Sequence, residues 1–112
     1  MLAQTRPYQE EFALTPDERP LLVFFTSRRS GPARRMESLL AHIARKERER
    51  LRVSKVDVED RPELAERFRV DEVPSLALVV DNRVVSRLEG RATAPRIESM
   101  LEPHLNDEQI AV

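Results

Sequence analysis

The sequence predicts an α/β protein whose mixed central sheet is covered by helices on both faces. Three observations support this fold class. Short apolar runs typical of buried strands alternate with segments whose apolar residues recur at helical spacing. The first two runs are separated by a predicted helix, as a parallel pair of strands requires. The last two are separated by only a few turn-forming residues, which suits an antiparallel hairpin.

The first strand is predicted at residues 20–27 (PLLVFFTS), an apolar run bounded by a proline and by polar residues. Ser30 is expected to cap the helix that follows. Pro32 is tolerated in the first turn of this helix, because the N–H that proline lacks would be unpaired there. The helix has one apolar stripe, formed by Met36, Leu39, Leu40 and Ile43.

The second strand is predicted at 51–59, where valines alternate with polar residues close behind the first helix. It should pair in parallel with the first strand. A short helix is predicted at 60–70. Asp60 lies three residues before Glu63, a spacing typical of a capping box, and is therefore expected to cap this helix.

The predicted hairpin consists of strands 74–80 and 84–90, joined by the turn-forming residues 81–83. Thr93 is expected to cap the last helix. The apolar positions of that helix keep helical spacing and are Ile97, Met100, Leu101 and Leu105.

Length and composition indicate one domain with a single core. We expect a poorly defined N-terminal segment at 1–19, the domain at 20–105 and a tail at 106–112. No apolar stretch approaches the ~18 residues of a membrane span, and residues 1–19 lack the apolar region of a secretory signal. The expectation is a soluble, cytoplasmic protein with no membrane partner.

The sequence contains no cysteine, which excludes disulfides, thiolate metal ligands and thiol reactions from this chain. A serine nucleophile at Ser30 would need a nearby base, but His42 lies about 18 Å further along the predicted helix. The acidic residues Asp57, Glu59 and Asp60 have no histidine at ligand spacing. We therefore predict no catalytic residue, no metal site and no cofactor.

The order of elements, with Ser30-Gly31-Pro32-Ala33 opening the first long helix and Val73-Pro74 preceding the hairpin, resembles the thioredoxin family over about residues 20–105. In that family a Cys-Gly-Pro-Cys motif performs protein-disulfide reduction in cell redox homeostasis. The resemblance places Ser30 and Ala33 at the two cysteine positions. It also implies that Pro74 is the family's cis-proline, which helps to bind an extended substrate, with Val73 beside it.

The chain departs from the family beyond the two cysteines. Phe24 stands where the family has a buried aspartate, Arg29 where it has a tryptophan, and Thr26 where it has another aromatic residue. Gly90 and Lys55 match family positions. Three origins stay open: a sequence that naturally lost or never had two-cysteine chemistry, a form with both cysteines substituted, and a mixed case in which Ala33 replaces a single native cysteine.

Four arginines flank the degenerate motif: Arg28, Arg29, Arg34 and Arg35. Because a helix N-terminus already carries partial positive charge, this clustering is mildly unfavourable for stability, and an acidic protein partner would relieve it. The alternative is a general bias of composition toward arginine. Nucleic acid is disfavoured, because aromatic residues are only 4% and no stacking platform is visible. The sequence indicates no oligomeric state.

The leading hypothesis is a redox-inactive, thioredoxin-like binding or chaperone-type module that holds a protein partner around residues 30–33 and Pro74. The first alternative is a thiol-disulfide oxidoreductase represented by a cysteine-substituted form. The second alternative is a structural subunit whose interface lies elsewhere.

Overall fold

The structure is a computed structural model, and it describes residues 18–105. The strands are β1 (Leu21–Thr26), β2 (Arg52–Asp57), β3 (Ser75–Val80) and β4 (Arg83–Glu89). The helices are α1 (Gly31–Lys46), α2 (Pro62–Arg67) and α3 (Ala94–Leu101), and a 3-10 turn (Glu102–His104) follows α3. Most of the predicted N-terminal segment, residues 1–17, and the whole predicted tail lie outside the described residues.

The described strands form one mixed sheet in the order β2-β1-β3-β4. β1 pairs in parallel with β2 and antiparallel with β3, and β3 pairs antiparallel with β4. The β3–β4 turn is shorter than predicted, because Arg83 already belongs to β4 and pairs with Val80. Asp81 and Asn82 form the turn with φ angles of 54° and 65°, as a two-residue hairpin favours.

Each face of the sheet packs against helices. Alternate residues of β1 point to opposite faces, so Leu22 and Phe24 join the core beneath α1 and α3. Leu21, Val23 and Phe25 join the second core, which α2 covers. In that core the rings of Phe25 and Phe68 lie 5.1 Å apart between centroids. The predicted α/β class, with helices on both faces of a mixed sheet, is confirmed.

The predicted helix caps have different outcomes. The Thr93 hydroxyl accepts a hydrogen bond from the Arg96 N–H at 3.4 Å, as expected of a cap. The prediction that Asp60 caps α2 is wrong. The helix begins at Pro62, so its N-cap residue is Arg61, which makes no side-chain cap. Asp60 therefore lies outside the helix, and its carboxylate accepts a hydrogen bond from Arg28 instead.

Candidate functional site

Three segments meet at one end of the sheet. Ser30, Gly31, Pro32 and Ala33, called here the SGPA turn, follow the end of β1. Ser75 pairs with Phe25 near that same end. Val73 and Pro74, which precede Ser75, therefore lie beside the end of β1. The Gly90 N–H donates to the Pro74 carbonyl at 2.8 Å, which brings in the segment after β4.

The SGPA turn is a capped helix start. The Ser30 hydroxyl accepts a hydrogen bond from the Ala33 N–H at 3.1 Å, which confirms the predicted cap. Gly31 is exposed, whereas Ala33 is fully buried. No titratable side chain of residues 18–105 hydrogen-bonds to the Ser30 hydroxyl, so nothing in this range activates it as a nucleophile.

The interior behind the SGPA turn is apolar. Phe24 is only 1% exposed and packs with Met36 and Leu40 of α1. Thr26 is also buried, and its hydroxyl has no hydrogen-bond partner among residues 18–105. The position at which the resemblance implies a buried aspartate that assists proton transfer therefore holds a buried aromatic ring.

Arg28 and Arg29, called here the anchored pair, bind carboxylates of the turn between β2 and α2. The Arg28 guanidinium lies 3.5 Å from Asp57 Oδ2 and 3.0 Å from Asp60 Oδ1. Arg29 Nε lies 3.2 Å from Glu59 Oε2. Ser27 strengthens the connection, because its hydroxyl donates to the same Glu59 oxygen at 3.1 Å. The loop after β1 is thus fastened to the neighbouring turn.

Asp57 is the central acid of this network. Its carboxylate accepts the N–H of Glu59 at 2.8 Å and the N–H of Arg28 at 3.3 Å. The hydrogen bond from Glu59 is the main reason that the pKa of Asp57 lies below its ordinary value, and the positive charge of Arg28 adds to the effect. The Asp60 carboxylate in turn raises the pKa of Arg28. Both pKa shifts favour the charged forms, the Asp57 carboxylate and the Arg28 guanidinium.

Arg34 and Arg35, called here the open pair, differ from the anchored pair. Both are exposed on α1, and neither forms an ion pair with another residue of 18–105. Arg35 folds back over the SGPA turn, where its Nη1 lies 3.4 Å from the position that a Cβ on Gly31 would occupy. The four arginines predicted as one site thus divide into two pairs in different surroundings.

Val73 and Pro74 differ in burial and in backbone hydrogen bonding. Pro74 is buried and the Val73–Pro74 peptide bond is cis. Val73 is half-buried, and its backbone makes no hydrogen bond to another residue within 18–105. An extended segment could pair with the Val73 backbone.

A groove that the sequence did not predict lies beside the SGPA turn. This apolar groove has a volume of 470 Å³, and its lining includes Pro32, Arg35, Met36, Leu39, Arg91 and Ala92. Only the apolar spacing of α1 hinted at it, since Leu39 belongs to the predicted stripe yet is only half-buried. The loop after β4 supplies the opposite wall.

Two further features, a metal-ion cluster and a membrane-spanning helix, are absent from the described residues. Within 18–105, no three histidine, aspartate or glutamate side chains converge closely enough to hold a metal ion. None of the helices in this part of the chain combines the length and the apolar character that a bilayer crossing needs.

Comparison with known proteins identifies the family. The family model described as thioredoxin matches residues 3–103. Thioredoxin of Mycobacterium tuberculosis is 35% identical over 91 residues, which cover 79% of this chain and 78% of that protein. A bifunctional thioredoxin reductase/thioredoxin of Mycobacterium leprae is 34% identical over 91 residues, 79% of this chain, and the chain spans only 20% of that protein's length.

Solved structures agree with these sequence matches. The germline-specific thioredoxin Deadhead of Drosophila melanogaster matches with a TM-score of 0.73 and 29% identity, over 78% of this chain and 82% of its own. The family resemblance inferred from the SGPA turn and from Val73-Pro74 is therefore confirmed, and the chain belongs to the thioredoxin family.

Proposed function

We propose that this chain is a redox-inactive member of the thioredoxin family that binds an extended segment of a protein partner. The observation that carries the proposal is the Val73 backbone, which has no hydrogen-bond partner among the described residues. It lies at the end of the sheet where the exposed Gly31 begins α1. An extended chain that pairs with Val73 would run across the SGPA turn.

The absence of thiols supports the redox-inactive part of the proposal. Disulfide reduction requires a thiolate to attack a sulfur atom, and the sequence contains no cysteine. Ser30 offers no substitute, because its hydroxyl caps α1. Ala33 is fully buried and has no reactive group. Binding at this surface would therefore not lead to the family's chemistry.

Charge at the site favours an acidic partner. Arg34 and Arg35 make no ion pair within 18–105 and stand on the first turns of α1. Arg28 and Arg29 contribute less, because carboxylates of the chain already balance them. Exposed charges at the edge of an interface raise the association rate and its salt dependence more than the final affinity. The cytoplasmic location expected from the sequence stays a prediction.

The test uses nuclear magnetic resonance with the ¹⁵N-labelled chain and a reduced, alkylated polypeptide that cannot refold. We expect the polypeptide to shift the amide signals of Gly31, Val73 and Arg91. Signal changes confined to α2 or β2 would contradict the site and favour the structural-subunit alternative. No signal change at saturating polypeptide would contradict the binding function itself.

A variant pair checks that the surface is the one used. In Gly31→Tyr, the new Cβ would meet only the flexible end of Arg35, at 3.4 Å, so the fold should tolerate a ring that covers the turn. We expect the affinity to fall about tenfold, or about 1.4 kcal/mol. Ala41→Tyr places the same ring at an exposed position further along α1 and should leave the affinity unchanged.

A further inference from the structure

We propose that the apolar groove receives a large apolar side chain from an acidic segment of the partner, whose neighbouring carboxylates bind Arg35 and Arg91. This inference rests on the proposed function and specifies the chemistry of the segment that is bound. It adds the wall formed by Arg91 and Ala92 after β4, which none of the sequence motifs discussed above includes.

The lining of the groove suits an apolar side chain. Met36 is 5% exposed, while Leu39 and Ala92 are half-buried and open into the groove. Pro32, also half-buried, extends this surface to the SGPA turn. The volume of 470 Å³ falls in the range of sites that bury most of a small ligand, so a single side chain fits.

The charges around the groove indicate which sign of charge the bound segment should carry. Arg35 and Arg91 line the groove, are exposed, and form no ion pair within 18–105. A neighbouring hollow of 360 Å³ is lined by Gly31, Arg34, Arg35 and Glu37. Its one acidic residue, Glu37, lies 3.7 Å from Lys55 Nζ and is thereby balanced. The surroundings of the groove are thus positive and complement carboxylates.

An acidic peptide segment fits better than the other occupants. Nucleic acid would need aromatic side chains for stacking, and none of the described residues that line the groove is aromatic. A second copy of the chain would have to bring an acidic surface. Its acidic turn of Asp57, Glu59 and Asp60 is already bound to the anchored pair.

The test measures binding of fluorescent peptides by anisotropy. The probe is Glu-Asp-Leu-Phe-Asp-Glu. One control peptide replaces each acid by its amide, and a second replaces Leu and Phe by Ala. We expect the probe to bind at least about tenfold more tightly than either control at low salt, and high salt to reduce the difference between the acidic and amide peptides.

Matched variants locate the site. Arg35→Ser with Arg91→Ser should weaken the probe about tenfold and leave the amide peptide unaffected. Arg45→Ser with Arg83→Ser removes two exposed arginines that do not line the groove and should change the binding of neither peptide. Equal binding of the probe and its amide control would overturn the inference, as would equal binding by the two double variants.

Other results would assign the groove to another occupant and also overturn the inference. Analytical ultracentrifugation would reveal one of them as a dimer that dissociates in the variant Arg35→Ser with Arg91→Ser. That result would indicate that a second copy of the chain occupies the groove. Tighter probe binding by Glu10→Gln with Glu11→Gln would indicate that the chain's own acidic segment competes. If the unfolded polypeptide still shifts Val73 and Gly31 while the probe does not bind, only this inference fails; if neither binds, the proposed function fails as well.

Discussion

The anchored pair and the open pair stand on opposite flanks of the SGPA turn and show how differently the same side chain can be used. Arg28 and Arg29 each lie within ion-pair distance of a carboxylate from the β2–α2 turn. Arg34 and Arg35, a few residues later, have no such partner among the described residues. One flank is tied by ion pairs to the neighbouring turn, and the other carries charge that no carboxylate of the described residues balances.

Parallel strand pairing explains the difference. β1 and β2 run side by side, and Thr26 pairs with Asp57 at their ends. The residues that follow these two strands therefore emerge at the same edge of the sheet. This register brings Arg28 to Asp57 and Asp60, although they are about 30 positions apart in sequence. Arg34 and Arg35 already belong to α1, which leads away from that edge.

The largest expected change in stability comes from the cap between the two flanks. Ser30→Ala removes the acceptor for the Ala33 N–H, so the free energy of unfolding should fall by about 1 kcal/mol. Equilibrium denaturation measures this value. Ser38→Ala, at an exposed position inside α1, is the control and should not destabilise the chain. Equal effects of the two substitutions would show that the cap is not what holds the turn.

Acid should weaken the anchored flank selectively. The folded-state pKa of Asp57 is lowered, so its stabilising contribution is fully present above the unfolded pKa of about 3.9 and is lost as pH falls through the folded pKa. Asp57→Asn should therefore be less stable than the natural chain near neutral pH, and the difference should shrink below about pH 4.

Urea denaturation over a pH series measures this difference. Asp71→Asn, at an exposed position with no ion pair among the described residues, controls for the loss of one negative charge. The stability difference between Asp57→Asn and the natural chain could instead stay constant into strong acid. That result would contradict the electrostatic explanation of the anchored pair.

The smallest change is expected on the open flank. Arg34→Ser with Arg35→Ser should alter the free energy of unfolding by no more than about 0.5 kcal/mol, because exposed side chains that form no ion pair within 18–105 contribute little. Arg28→Ser with Arg29→Ser should destabilise the chain more, and added salt should reduce the difference between the two double variants. If both affect stability equally at low salt, the distinction between the flanks is lost.

Most of the fold was predictable from the sequence, because apolar spacing reports directly on which residues face the core. Leu22 and Phe24 on one face, with Val23 on the other, follow from the apolar run of β1. The cap at Ser30 was predictable because a serine just before an apolar helical pattern has a specific local role. The capping role predicted for Asp60 was wrong, because the prediction used local spacing alone. The Asp60 carboxylate binds Arg28, which is distant in sequence.

The surroundings of the site were less predictable, because they depend on contacts between distant segments. The apolar groove joins Leu39 on α1 to Ala92 after β4, and no local pattern links these positions. The ion pairs of Arg28 required the register between β1 and β2. The Gly90 N–H that meets the Pro74 carbonyl likewise depends on the tertiary arrangement.

The buried ring of Phe24 bears on how the family's chemistry could be engineered into this chain. Cysteines at positions 30 and 33 require only two substitutions at a helix start. An aspartate at position 24 would place a carboxyl group where the side chain is 1% exposed, and burying that group without a hydrogen-bond partner costs free energy. Building the redox motif is therefore a local change at one turn, whereas adding the buried acid requires repacking of the core around Met36 and Leu40.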